Sequence, residues 1–548
     1  MFINSRVRAL HFNTWAALSI IFVVLVVLPN LSILTNALKP GNENWAHISQ
    51  YLLKDYIVNS MILIVFTGAL SVIIGISLAW LVSAYDFPFR HFFSWALVLP
   101  LAIPPYIAAY TYHGLLNYTG VIQAFLRNHL NLRVDQAYFD IMNIKGAIFI
   151  FTMFLFPYVY IMTRSYLQRQ SATLVETARL LGRNPWEVFV FVVLPLSRAA
   201  IVSGVSLVIL EVLNDYGVVK YFGIPAFSTA IFKTWFGMGD IDSAVKLSAI
   251  LMSIVLVLLL LERLLRANRR FSATTTRGRP IVRQRLTGRS AGAALGFAAG
   301  IFGLSFIIPT LQLLHWAVLS YANTWHVDLR PLIVNSLFVA GMSAVLITVV
   351  AVVVANYSRV SSGPTVQALS RLITIGYSIP GAVIAIGVIV FVIGLDHRLA
   401  WFYQLLSIGS DKLVLSTNLV MLLFAYLIRF LAIGYNSIDA GFEKVGTKLY
   451  EASRTLGKTM TQTFFQVDLP LLRLAVIGSF ILVFIDILKE LPLTMILRPF
   501  NFDTLATKAF EYANDEMIHE AALPSLVIIL ASAAAVYVFN RLINEEEV

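Results

Sequence analysis

The chain has 548 residues, 59% of them hydrophobic and only 13% charged, with a mean hydropathy of +0.80. Soluble domains run at roughly 45–50% apolar and about 25% charged, so a water-soluble enzyme is excluded and an integral membrane protein is indicated. Cysteine is absent, which excludes disulfides, thiolate zinc sites, Cys-ligated iron–sulfur clusters and cysteine nucleophiles.

A helix needs about 20 mostly apolar residues to cross the hydrocarbon core. Twelve such runs follow one another along the chain. The first six lie near 14–37, 57–85, 92–117, 145–165, 197–214 and 243–262. The second six lie near 291–320, 332–357, 372–394, 412–434, 472–490 and 522–542. The runs are continuous, without the ten-residue alternation of a membrane barrel, so they predict helices. Arg6 and Arg8 precede the first run in the manner of a signal peptide. That run outlasts a signal-peptide core and shows no small-x-small cleavage site, so it reads as an uncleaved first span.

Charge predicts the orientation. With the N-terminus inside, inner loops and tails hold 26 of the 40 Lys and Arg residues and 11 of the 29 Asp and Glu residues. Outer loops hold 14 basic and 16 acidic residues, and two acids, Glu211 and Asp486, stay within apolar runs. This is the positive-inside pattern, and it accounts for the net charge of +11 without a nucleic-acid partner.

The chain is a tandem duplication. The segment from Glu176 to Arg198 aligns without gaps to the segment from Glu451 to Arg473 at an offset of 275, with 10 identities in 23 positions. Thr229 and Lys233 match Thr504 and Lys508 at the same offset. Asn59-Ser60 matches Asn335-Ser336, and Pro104 matches Pro380, at 276. Six spans per repeat place both halves the same way up, about a pseudo-two-fold axis along the membrane normal. The expected units are a first repeat at 1–262, an Arg-rich cytoplasmic linker at 263–289 and a second repeat at 290–548.

The segment after the fourth run of each repeat reads Glu-x-(Ala/Ser)-x-x-x-Gly, nine residues, then Val-x-Leu-Pro. Glu and Ala favour helix, Gly ends it with a left-handed turn, and Pro185 after Asn184 opens a second short helix. Each half thus presents a short amphipathic helix on a kinked hairpin, a pair of pegs for a two-fold partner. Gly457-Lys458-Thr459 mimics the end of a phosphate-binding loop, but position 452 is Ala and no strand precedes it, so ATP binding is not expected here.

This pattern resembles the cytoplasmic signature of permease subunits of binding-protein-dependent ATP-driven (ABC) importers. Glu176, Ala178, Gly182, Leu194 and Pro195 carry it, and Glu451, Ser453, Gly457, Leu469 and Pro470 carry it again. Thr177 and Ser453 depart from the Glu-Ala-Ala triplet, and Val192 and Val467 replace Ile. The resemblance implies an all-α membrane protein of about 12 helices in two six-helix repeats, the type I (MetI-like) importer permease fold. It implies a bacterial inner-membrane location with both termini cytoplasmic, and two cytoplasmic ATPase subunits that hold ATP and magnesium. This chain itself would bind no cofactor and catalyse no reaction. Stretches 99–112, 215–240 and 490–516 are similar to fused ferric-iron permeases, which implies a periplasmic iron-binding protein and Fe3+ as cargo. Thiamine or another small cation is the alternative, since related fused permeases carry it, and an ion-coupled secondary transporter is the more distant one.

The intramembrane acids form equivalent pairs. Glu211 matches Asp486 and Asp215 matches Glu490, each at 275, so all four are expected around the axis as a substrate path. Such carboxylates cost about 2.5–3.5 kcal/mol each on insertion scales and are functional candidates by default. Hard oxygen ligands suit a trivalent cation, so Glu211 and Asp486 are candidate transient metal ligands, with Tyr106, Tyr110 and Tyr216 nearby in sequence. Lys489, three residues after Asp486, is placed to neutralise it.

Overall fold

The structure, a computed structural model, describes residues 14–132, 135–169, 173–267, 282–324, 329–360, 366, 372–373, 376–405, 413–416 and 418–546. Among the described residues the regular structure is helical, apart from a two-residue parallel bridge between Tyr85–Asp86 and Gln284–Arg285. Among the same residues ten helices are long and apolar enough to span a membrane, or up to 12 if each of two bent pairs is one span.

The first half contains α1 (Thr14–Ala37), α2 (Leu53–Ala84), α3 (Pro105–Leu116), α4 (Ile144–Arg169), the short α5 (Thr173–Leu180), α6 (Leu194–Asn214), the short α7 (Gly217–Tyr221) and α8 (Phe227–Phe232), and α9 (Ile241–Ala267). The second contains α10 (Gly288–Phe302), α11 (Ile308–Thr324), α12 (Leu329–Val360), α13 (Gly381–Leu405), α14 (Leu419–Val445), the short α15 (Lys448–Thr455), α16 (Arg473–Leu488), α17 (Pro492–Leu497), α18 (Leu505–Asn514) and α19 (Ile518–Glu546). Of the expected linker, residues 268–281 lie outside the described residues.

Prolines move the predicted boundaries. The run expected near 92–117 is bent by 91° between Arg90–Ala102 and Pro105–His129, because Pro104-Pro105 removes two amide donors in succession. The run expected near 372–394 is interrupted at Pro380: residues 372–373 and 376–378 are helical, and a separate long helix begins at Gly381. The run expected near 472–490 is entered through a 73° bend after Leu471, next to Pro470. The helix expected near 412–434 runs to Val445, because its last turns carry polar residues that depress hydropathy without breaking the helix.

Each half has a three-helix heart, α2–α4–α6 in the first and α12–α14–α16 in the second. The first helices are exchanged between halves. α1 packs on α12 and α13, while α11 packs on α3 and α19. Lipid supplies no hydrophobic drive between helices, so close approach depends on small residues. A Cβ at Gly204 would lie 2.7 Å from Val159 Cα, and one at Gly75 would lie 2.8 Å from Val159 Cβ, so α4 is clasped between α6 and α2.

The offset of 275 does not persist to the ends of the repeats. The Asn59 amide donates to Pro225 O at 2.9 Å, and the equivalent Asn335 donates to Asp503 O at 3.1 Å. Ser60 Oγ accepts from Phe227 N, and Ser336 Oγ accepts from Leu505 N. Pro225 therefore corresponds to Asp503, an offset of 278: three residues are inserted in the second half before α18. Thr229 consequently matches Thr507, each accepting from the amide that begins its helix, and Lys233 matches Glu511. The match of Thr229 and Lys233 to Thr504 and Lys508 is a coincidence of spacing.

Gly204→Val is expected to cost about 1–3 kcal/mol through forced separation of α4 and α6, read as a lower melting temperature of the purified protein. Gly296→Val, where nothing lies within 4 Å of an added Cβ, should leave the melting temperature unchanged.

Candidate functional site

The two hairpins repeat each other turn for turn. α5 ends at Gly182, with φ +81°, and α15 is followed by Gly457, with φ +84°. Arg183 N–H reaches back to Ala178 O, and Lys458 N–H reaches back to Ser453 O, so each glycine takes the left-handed position that closes its helix. A capping box follows in both, Asn184 with Glu187 and Thr459 with Gln462. Each second short helix then widens into a π turn, Phe189–Val193 and Phe464–Asp468, ahead of Leu194-Pro195 and Leu469-Pro470. Both prolines fall in a first helical turn, where no amide donor is needed.

Ala178 is buried against Val188, while Ser453 is buried with its hydroxyl 2.9 Å from the Thr463 hydroxyl. Val188 and Thr463 are equivalent, so the serine that departs from the usual triplet has a matching change opposite it. Glu176 and Glu451 are exposed, with no side-chain hydrogen bond or ion pair among the described residues. Leu180 at 88% exposure and Leu456 at 81%, with Trp186, Phe191 and Phe465 also exposed, leave apolar side chains uncovered on both hairpins.

The hairpins are held differently. Asp468 is buried in an ion pair with Arg359 at 2.8 Å, and Arg359 also donates to Gly446 O at 2.8 Å. The equivalent positions in the first half are Val193 and Ser83, at offsets of 275 and 276; Val193 belongs to a buried apolar cluster with Trp80, and among the described residues the buried Ser83 hydroxyl has no partner.

At the far end of α6 and α16 a cavity of about 80 Å³ opens between the halves. It is lined by all four predicted carboxylates, Glu211, Asp215, Asp486 and Glu490. The inner pair keeps side-chain partners: the Tyr377 hydroxyl donates to Glu211 Oε1 at 3.1 Å, and Lys489 Nζ lies 2.8 Å from Asp486 Oδ1. The outer pair has a structural task. Asp215 accepts from Val218 N at 2.7 Å at the start of α7, and Glu490 accepts from Leu493 N and Thr494 N at 2.9 and 3.0 Å at the start of α17. Of the three tyrosines, Tyr106 lines the cavity with a buried hydroxyl that has no partner among the described residues, Tyr110 is tied to Ser525, and Tyr216 stacks on Phe232.

Sequence reasoning missed Arg429, Tyr377 and Asn214. Arg429 is 5% exposed, lines the cavity and donates to Asn214 Oδ1 at 2.8 Å. The charge tally had assigned it to an inner loop. Its position inside an apolar run was the available signal. With four carboxylates against Arg429 and Lys489, the cavity has a formal charge of −2. Among the described residues no three His, Cys, Asp or Glu side chains gather closely enough to form a metal cage.

The family model described as "Binding-protein-dependent transport system inner membrane component" matches residues 16–270 and again 347–545. The chain belongs to this family. Both halves of the permease therefore carry the family domain, in tandem. The permease is 25% identical over 534 residues to the Fe(3+)-transport system permease protein FbpB 2 of Haemophilus influenzae, covering 96% of this chain and 98% of that protein. It is 26% identical over 230 residues to the sulfate transport system permease protein CysT of Escherichia coli, covering 40% of this chain and 78% of the relative. It is 26% identical over 144 residues to the molybdenum transport system permease protein ModB of Haemophilus influenzae, covering 26% of this chain and 60% of the relative. The protein is thus a multi-pass inner-membrane permease of an ABC importer, not an enzyme.

Removing one partner of a buried ion pair leaves an uncompensated charge, at about 3–5 kcal/mol. Asp468→Val is expected to lower the melting temperature of the permease sharply. The double change Arg359→Ser with Asp468→Val, which copies the first half, should recover much of that loss.

Proposed function

We propose that this permease imports ferric iron delivered by a soluble periplasmic binding protein, energised by two cytoplasmic ATPase subunits. The observation that carries the reading is the cavity between the halves, with its formal charge of −2 and its oxygen-rich lining. A hard trivalent cation favours carboxylate and phenol oxygens, whereas sulfate and molybdate are repelled by such a lining. The relative whose name specifies Fe(3+) aligns along nearly the whole chain, and the oxyanion permeases align to parts of it. A cavity of about 80 Å³ also suits an ion better than an organic cation such as thiamine.

With both termini cytoplasmic, α5 and α15 face the ATPase subunits, one each. Exposed Glu176, Glu451 and the uncovered leucines supply the docking surface. α6 has 21 residues and is about 32 Å long at 1.5 Å per residue. It begins at the hairpin and ends at Asn214, three residues past Glu211, so a push at the hairpin is delivered at the cavity through one continuous helix. In the second half the push reaches Asp486 through α16 by way of the 73° bend after Leu471. Closure of the ATPase pair moves both hairpins together and opens the cavity toward the binding protein. Glu211 and Asp486 then receive the cation transiently, and hydrolysis returns the inward-facing state.

The test is uptake into vesicles holding the reconstituted permease–ATPase complex, supplied with binding protein and labelled ferric iron, molybdate or thiamine. ATP-dependent uptake of iron alone is expected. Glu211→Gln with Asp486→Asn should reduce it at least tenfold while the complex still assembles. Iron uptake unchanged in that variant, uptake of molybdate or thiamine instead, or uptake driven by an ion gradient without ATPase would contradict the proposal.

A further inference from the structure

A second cavity, of about 580 Å³, lies at the end of the bundle away from the hairpins. Its walls include Tyr56, Tyr216, Lys220, Lys233 and Phe236. The Tyr216 ring stacks on Phe232 with centroids 3.6 Å apart, and Phe510 lies 5.7 Å from Tyr216 and 6.2 Å from Tyr106. These rings separate the second cavity from the central one, which Tyr106 lines.

Lys220 and Lys233 are exposed, and among the described residues neither has an acidic partner. The second half shows how the same place is normally filled. There Arg498 reaches both Asp503 and Glu511, and Lys508 stands 3.7 Å from Glu511. The corrected register makes the comparison direct. Asp503 corresponds to Pro225 and Glu511 to Lys233. The first half has therefore lost both carboxylates, and it carries a cation where the second half carries an anion. What remains is an aromatic-walled cavity with two uncompensated positive charges, of a volume within the range of about 300–1,000 Å³ typical of small-molecule sites.

We propose that this cavity is a carboxylate-binding site. The ligand's carboxylates lie between Lys220 and Lys233, and its carbon skeleton lies against Phe232 and Phe236. The charged contacts are charge-assisted hydrogen bonds, each lysine offering three donors. A bare metal cation is repelled here, so the site is distinct from the acidic cavity beyond the rings. The inference stands on the internal comparison of the two halves and is independent of which cargo the permease carries. The carboxylate has two possible sources, a free di- or tricarboxylate or an acidic side chain of a docking protein.

Two arms separate them. In the first, the full chain in phosphatidylcholine nanodiscs is titrated with citrate by calorimetry at low salt. In the second, its affinity for the binding protein is measured without citrate. Both use wild type, Lys220→Ala with Lys233→Ala, the charge reversal Lys233→Glu, and Lys233→Arg, with melting temperatures compared to establish folding. Saturable citrate binding that falls at least tenfold in the first two variants and persists in Lys233→Arg assigns a free carboxylate. Absence of citrate binding, with protein affinity falling tenfold in the same variants, assigns an acidic side chain. If neither affinity changes in folded variants, the site is refuted.

Discussion

Ionisable groups inside a membrane must be satisfied by the protein itself, and here they are satisfied across the boundary between the two halves. Glu211 in the first half accepts from Tyr377 in the second. Asn214 in the first accepts from both Arg429 and the Gly381 amide in the second, at 2.8 and 2.7 Å. The polar groups that make the cavity chemically useful are thus also those that join its walls. Any opening of the cavity must break or rearrange these contacts, and this ties access to the relative position of the halves. The exchange of α1 and α11 packs the outer helices of each half against the other half.

The duplication has diverged in matched pairs. Ala178 with Val188 has become Ser453 with Thr463. Ser83 with Val193 has become Arg359 with Asp468. In both cases the second half buries a pair of polar groups that satisfy each other where the first half relies mainly on apolar contact. The distal end behaves otherwise. There the second half closes its space with Arg498 and two acids, and the first half leaves it open. Divergence without compensation distinguishes a place where something else is accommodated.

Much of this was readable from residue order. Hydropathy located the spans because crossing a bilayer demands long apolar runs. The hairpins were readable because Gly182, Gly457 and the Leu-Pro pairs have local conformational consequences that need no tertiary information. The four acids were found together because equivalence at 275 implies a shared axis. What escaped was set by tertiary contact. Arg429 faces inward from a helix whose end hydropathy misplaced, so it was counted with the loops. Tyr377 lies in a short helical stretch ahead of Pro380, and its contact with Glu211 is made only by the packing of one half on the other. The capping roles of Asp215 and Glu490 depend on α7 and α17, which are too short to leave a periodic signal. The three-residue insertion was hidden by a chance match of Thr and Lys, and only the hydrogen bonds of Asn59 and Asn335 expose it.

The central claim is that two hairpins, moved together by a separate motor, act through α6 and α16 on one cavity. The absence of cysteine makes this chain suited to a direct test, because introduced cysteines at Leu180 and Leu456 are its only labelling sites. The decisive measurement is the spin-label distance between those positions in the reconstituted complex, with and without ATP trapped on the motor. The account predicts a distance that shortens when ATP is bound and recovers after hydrolysis. A distance unchanged through the ATP cycle, in a complex that still transports, would contradict it.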